Sequence, residues 1–338
     1  MNRISDLKIE GENVNFSLKL SSLDANQKND LNFACITAIN QIFPNANVNV
    51  HFITVNDAAE TDSGPLPQIK NIIAVASGKG GVGKSTVSLN LAMALKNEGK
   101  KVGILDADIY GPSMPTMLGL QGAKPNVRTV YGKHKIEPLM AFDMPCISIG
   151  FIIEAEQAVV LRGPRLGGIL KQFIHDVIWP ELDYLIIDLP PGTGDIHLTM
   201  VQSVPVTGAV IVTTPQEVAL ADAIKATNMF KLPSVNVPLI GVVENMSWFT
   251  PAELPNNKYY LFGSGGGEKL ANQMETKLLG QIPIVQSIRE SGDAGKPAII
   301  ASVAEVNNAF KMIAINTMAE VEKRNELLAK TKIVKINT

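Results

Sequence analysis

Between residues 71 and 243, short apolar runs alternate with longer stretches of helical spacing. The runs are 71–75 (NIIAV), 102–105 (VGIL), 146–149 (CISI), 184–187 (YLII), 209–212 (AVIV) and 239–243 (LIGVV). Brief and rich in β-branched residues, they predict buried strands. Residues 87–95, about 164–178 and 217–230 carry apolar positions at the spacing of helices. This alternation predicts an α/β fold whose mostly parallel sheet is covered by helices on both faces. Ligands of such a sheet gather at the carboxyl ends of its strands. A last helix, about 302–323, lines up Val303, Val306, Phe310, Ile313 and Val321, a stripe suited to docking on the sheet.

The pattern ahead of residue 71 is different. Residues 14–20 and 48–53 alternate as half-buried strands do, and 31–43 has helical spacing through Leu31, Cys35, Ala38, Ile39 and Ile42. Residues 1–57 therefore read as a small α+β domain, and the polar, proline-bearing stretch 58–70 as a linker. The main domain is expected over 71–323, with a tail over 324–338.

The turn after the strand at 71–75 reads SGKGGVGKST and leads into the helix at 87–95. Strand, glycine-rich turn and helix is the context in which GxxxxGK[ST] cradles phosphates with backbone N–H groups. The predicted cradle comprises Gly78, Lys79, Gly80, Gly81, Val82, Gly83, Lys84, Ser85 and Thr86. Lys84 is expected on the β- and γ-phosphates and Ser85 on Mg²⁺, so the chain is expected to bind a nucleoside triphosphate. Asp188 ends an apolar strand in LIIDLPPGTGD, where a carboxylate can hold the water shell of that Mg²⁺. Residues 189–195 then read as a switch loop beside the γ-phosphate. Asp106 and Asp108 close another strand. A carboxylate there can position the attacking water, while one of the two can instead cap the following turn.

The base is expected to be adenine. Asn245 follows the strand at 239–243, and its amide suits the N6/N7 edge. A guanine site of NKxD type would want an aspartate where Trp248 stands. Pro283, in LLGQIP, reads as a strand-end proline. His197, in GDIHLT, reads as a surface residue of the switch, and Arg162, in LRGPR, has no assigned role.

Composition narrows the classes of partner. Of 338 residues, 46% are hydrophobic and 18% charged, which suits a folded α/β protein. A formal net charge of −2 offers no basic excess for nucleic acid. The first thirty residues hold no apolar core of signal-peptide type, and no run approaches the ~18 apolar residues of a membrane span. A cytoplasmic location without membrane contact is expected. Cys35 and Cys146 lie too far apart for a local metal knuckle and read as reduced, packed thiols.

Two resemblances extend this reading. KGGVGK resembles the deviant Walker A motif of MinD/ParA ATPases, which implies that Lys79 reaches across a homodimer interface to the partner's nucleotide. Resemblance to P-loop ATPases of this class also implies that Pro283, instead of merely ending a strand, closes over the adenine. More broadly, SGKGGVGKST, LDADIYGPSMPTMLG, LIIDLPPGTGDIHLT, VVENMS and QSIRESGDAGKPA together resemble the Mrp/ApbC family over roughly residues 70–320. That family implies a P-loop NTPase fold, slow Mg²⁺-dependent ATP hydrolysis and a homodimer with two ATP sites. It also implies carriage of an iron–sulfur cluster to client or scaffold proteins. Within the resemblance Lys79, Lys84 and Asp108 are the catalytic residues, with Asp108 orienting the attacking water. The first 57 residues resemble a shortened MIP18-like domain that lacks its acidic front segment and the cysteine at its helix start. The chain also departs from the family's usual CxxC pair. Residues 249–262 read FTPAELPNNKYYLF, so the ligands of a bound cluster are not evident. A nucleotide-controlled interaction switch of MinD/ParA type, without a cluster, is the alternative.

Overall fold

A computed structural model describes residues 4–20, 25–54, 65–108, 111, 113–130, 132–152, 163–300, 304–329 and 333. The chain divides into two compact units, Met1–Ser63 and Gly64–Thr338. Arg162, Ile109, Tyr110, Pro112, Ser302 and Val303, together with residues 55–57 of the small domain and 58–64 of the linker, lie outside the described residues.

The first unit is a three-stranded sheet with one helix: β1 (Ile4–Glu10), β2 (Asn13–Leu20), α1 (Ala25–Asn40) and β3 (Asn47–Thr54). β2 lies between an antiparallel β1 and a parallel β3. Phe16, Leu18 and Val48 form its core, against which Leu31, Cys35, Ile36 and Ile39 pack. β1 was not legible in the sequence because a register shift between Ser5 and Lys8 breaks the alternation of Ile4 with Leu7 and Ile9. The helix also ends earlier than its apolar spacing suggested. Ile42 and Phe43 fall in the turn after Asn40 and are 73% and 63% exposed.

The second unit is built on an eight-stranded sheet. Its strands are β4 (Ile69–Ala76), β5 (Val102–Asp106), β8 (Leu139–Ala141), β9 (Met144–Ser148), β10 (Leu182–Asp188), β11 (Gly208–Thr213), β12 (Leu239–Glu244) and β13 (Leu278–Gln281). Their order is β13-β12-β11-β4-β10-β5-β9-β8, parallel except at the β8–β9 edge. A separate hairpin joins β6 (Val127–Val130) and β7 (Lys133–Ile136). The helices are α2 (Lys84–Asn97), α3 (Met114–Met117), α4 (Gly163–Asp176), α5 (Asp195–Val201), α6 (Glu217–Lys231), α7 (Gly266–Gln273), α8 (Gln286–Asp293) and α9 (Ala304–Leu327). β4 already begins at Ile69, inside the stretch read as linker, and α9 continues four residues beyond Lys323. Ile149 leaves β9 for a 3₁₀ turn, Ile149–Phe151, capped by the Ser148 hydroxyl.

Strand order explains the layering. From β4 the chain crosses towards β5 on one side, whereas from β11 it crosses to β12 on the other. Right-handed crossovers therefore put α2 and α6 on opposite faces. α2 is apolar nearly all round because it lies between the sheet and α9, with Val87, Leu89, Leu91, Met93 and Leu95 all buried. Each such side chain contributes roughly 1.5–3 kcal/mol. α9 turns Val306, Phe310, Ile313, Ala314 and Val321 inwards, against β12, β13 and α2. Among the described residues no helix is long and apolar enough to cross a membrane.

Candidate nucleotide-binding site

Two acid-bearing strand ends meet beside the glycine-rich turn because β10 inserts between β4 and β5. Asp188 is the register partner of Val75 on one side and of Asp106 on the other. β4 stops at Ala76, and the chain turns through residues 77–83 into α2. Gly83, the residue before the helix, has φ +81°, a left-handed conformation that an L side chain resists. A Cβ there would also lie 2.3 Å from Nδ2 of Asn245. At Gly78 a Cβ would lie 2.1 Å from the backbone of Asp222, so α6 packs directly on the turn.

Lys84, at the first position of α2, points its ammonium into the acids. Nζ lies 2.8 Å from Asp188 Oδ1 and 3.4 Å from Asp108 Oδ2, and it donates to Ser85 Oγ at 3.2 Å. Ser85 Oγ donates to Asp188 Oδ2 at 2.5 Å, and Ser88 Oγ donates to Oδ1 at 2.6 Å. Asp188 is fully buried. A buried carboxylate survives only when paired and hydrogen-bonded, and these three groups satisfy it.

Asp106 and Asp108 are held differently. Asp106 accepts from Ser148 Oγ at 2.7 Å and from the Asp108 N–H at 3.0 Å. Burial, and next the negative charge of Asp188, push its carboxyl up to about 7 against these hydrogen bonds. Burial also raises Asp108, with the Lys84 charge opposing it. Asp108 Oδ1 is buried without a hydrogen-bond partner. A ligand that brings hydrogen-bonding groups or cationic charge to this corner would satisfy it.

Two connected cavities lie over these groups. One, of about 240 Å³, is lined by Lys79, Gly80, Gly81, Lys84, Ser85 and Asp108 among others. The second, of about 760 Å³, is largely apolar, with Met246, Phe262, Pro283, Val285 and Ile288 in its wall. Gly83, Thr86, Ser113 and Met117 border both. A small polar cradle opening into a larger apolar cleft matches the two halves of a nucleotide, phosphates and nucleoside.

The predicted residues thus gather, with two differences in detail. Lys79 is exposed on the rim of the polar cavity, and Pro283 borders the apolar one. Asn245 borders the apolar cleft, but its side-chain amide also donates to the Val82 carbonyl at 2.9 Å and so braces the glycine-rich turn. His197 is not a surface residue. It is 1% exposed on α5, edge-on to Phe230 at 6.5 Å, with neither ring nitrogen hydrogen-bonded. Phe230 of α6 lies against its ring, an arrangement that no local pattern announces. Burial lowers its pKa to about 4, against the nearby carbonyls of Gly194 and Pro190. Cys146 is buried too. Its thiol donates to the Leu139 carbonyl at 3.3 Å, and burial pushes its pKa up to about 12. Among the described residues no three His, Cys, Asp or Glu side chains form a group suited to a metal ion. Ser88 and Ser148, both at the site, were missed because single serines carry no motif.

A central parallel sheet, a GKGGVGKS turn and an acidic strand end beside its serine define a P-loop NTPase of the MinD/ParA fold. Residues 68–318 match the model of the ParA family described as NUBPL iron-transfer P-loop NTPase, and the chain belongs to that family. An iron-sulfur cluster carrier protein of Synechocystis sp. is 47% identical over 299 residues, 88% of this chain and 84% of that protein. The Escherichia coli protein of the same name is 52% identical over 229 residues. These are 68% of this chain but only 60% of the relative. Among solved structures, a nucleotide-binding protein from Archaeoglobus fulgidus in complex with ADP has 39% identity and a TM-score of 0.59. The match covers 69% of this chain and 90% of that one. The cell division ATPase MinD of Pyrococcus furiosus, at 24% identity and a TM-score of 0.54, shares the fold over 75% of this chain and 99% of its own.

Proposed function

We propose that the chain binds ATP in the two connected cavities, hydrolyses it slowly, and uses that cycle as a homodimer to transfer iron–sulfur clusters to client proteins. The observation that carries the ATPase reading is the convergence of Lys84, Ser85, Asp108 and Asp188, with one Asp108 oxygen buried and unpartnered. Lys84 neutralises two carboxylates, and the β- and γ-phosphates compete for the same ammonium. The apolar cleft bordered by Asn245 and Pro283 takes the adenine.

The donor set suits Mg²⁺, a hard cation that takes oxygen ligands: the Ser85 hydroxyl and Asp188 carboxylate lie together and would hold it with its waters. When bound, Mg²⁺ supplies charge to neutralise the phosphates. Asp108 orients the attacking water. Lys79, on the exposed rim, reaches the nucleotide of a second copy, where an added cation is worth on the order of a thousandfold in rate, as arginine fingers are.

The cargo reading rests on the family and on relatives named as cluster carriers. With Cys146 buried, the thiolates that hold the cluster come from the client.

ATP turnover tests the reading. The wild-type chain should hydrolyse ATP with Mg²⁺ and stop in EDTA. Asp108→Asn should keep its ATP affinity and lose turnover, and Lys79→Ala should lose far more turnover than affinity. Wild-type turnover from Asp108→Asn would place the chemistry elsewhere. A chain that stays monomeric with non-hydrolysable ATP in sedimentation would remove the role given to Lys79.

A further inference from the structure

Ser148 closes β9 as the register partner of Asp106, and it borders neither cavity. It nonetheless connects to the reaction corner through hydrogen bonds that leave little freedom. The Gly150 N–H donates to Ser148 Oγ at 3.0 Å, and Ser148 Oγ donates to Asp106 Oδ2 at 2.7 Å. Asp106 Oδ1 accepts the backbone N–H of Asp108 at 3.0 Å. Both oxygens of Asp106 are thereby engaged, one by a neighbouring strand and one by the peptide that carries Asp108. Ser148 and Asp106 are 1% and 2% exposed, so water does not compete for these bonds.

A carboxylate anchored through one oxygen only can turn about its Cβ–Cγ bond. Without the Ser148 hydroxyl, Asp106 has the Asp108 N–H as its remaining hydrogen-bond partner and Lys84 as the nearby cation. Turning towards Lys84 would loosen the Asp108 peptide. Asp108 would then be held through Lys84, 3.4 Å from Oδ2, and the Gly111 backbone, while its Oδ1 has no hydrogen-bond partner. A misplacement of about 1 Å is enough to cost a reaction on the order of a hundredfold.

We infer that Ser148 is a positioning residue for hydrolysis: acting through Asp106, it fixes the peptide that sets Asp108 against the attacking water. This rests on the role given to Asp108 above. Because Ser148 touches no part of the nucleotide cavities, its contribution falls on turnover and not on affinity. Its hydroxyl is what matters, so threonine can replace it and alanine cannot.

The test uses the full chain with Ser148→Ala, Ser148→Cys and Ser148→Thr, run beside Asp108→Asn. Single-turnover ATP hydrolysis, affinity for a fluorescent ATP analogue and melting temperature are measured for each. Ser148→Ala should lose about tenfold to a hundredfold in rate, with affinity within about twofold of wild type. Ser148→Cys should fall between, and Ser148→Thr should recover most of the rate. If Ser148→Ala does not fold, Ser148→Cys decides alone: reduced rate at unchanged affinity supports the proposal, and wild-type rate overturns it. Wild-type rate in Ser148→Ala, a loss matched by an equal loss of affinity, or a folded Ser148→Thr no better than Ser148→Ala would each overturn it. Where Asp108→Asn is inactive and Ser148→Ala runs normally, only this proposal fails. Where Asp108→Asn runs normally, the role of Asp108 itself fails.

Discussion

Replacing His197 with leucine should flatten the acid side of the stability curve. The imidazole is buried between α5 and α6, and burial lowers its pKa from 6.5 to about 4. The folded chain therefore keeps His197 neutral over a range in which the unfolded chain protonates it. The sign follows from linkage. A histidine with a depressed folded pKa contributes fully above the unfolded value, and that contribution is lost as pH falls from 6.5 towards 4. Each pKa unit is worth about 1.4 kcal/mol, so the full loss is about 3 kcal/mol, of which about 2 kcal/mol has gone by pH 5. Leucine is close to histidine in size and removes two buried nitrogens that have no hydrogen-bond partner. Urea unfolding of wild type and His197→Leu between pH 5 and 7.5 measures the difference directly, because titrations common to both cancel. The variant should gain about 2 kcal/mol relative to wild type on going from pH 7.5 to pH 5. Parallel stability curves would show that His197 titrates normally, and the buried, neutral ring would be wrong.

Two further outcomes follow from the geometry. Gly83→Ala places a side chain at φ +81° and 2.3 Å from the Asn245 amide that braces Val82. Calorimetric titration should find at least a tenfold weaker affinity for ATP, and unchanged affinity would mean that the turn relaxes freely. For Cys146, the buried thiol at about 12 predicts that the wild-type chain and Cys146→Ser take up equally little iron and sulfide in anaerobic reconstitution. Stoichiometric iron that survives gel filtration in the wild type and is lost in Cys146→Ser would show the opposite.

The sequence by itself determined the elements around the site. Apolar runs marked most strands of the large sheet, and GKGGVGKS, Asp106, Asp108 and Asp188 fell where strands end. These are local properties: a strand's burial and a turn's glycines depend on residues a few positions apart. β1, where a register shift between Ser5 and Lys8 interrupts the alternation, left no such mark. Only the tertiary structure decided which strand ends meet. β10 lies between β4 and β5, which brings Asp188 to Ser85 and Lys84 across about a hundred residues of sequence. The same packing buried His197 under α6, turned Asn245 onto Val82 and joined Ser148 to Asp106. Side-chain partners of that kind are selected by burial, which forces every polar group inside to find whatever donor or acceptor the packing supplies. No spacing along the chain encodes which one that is.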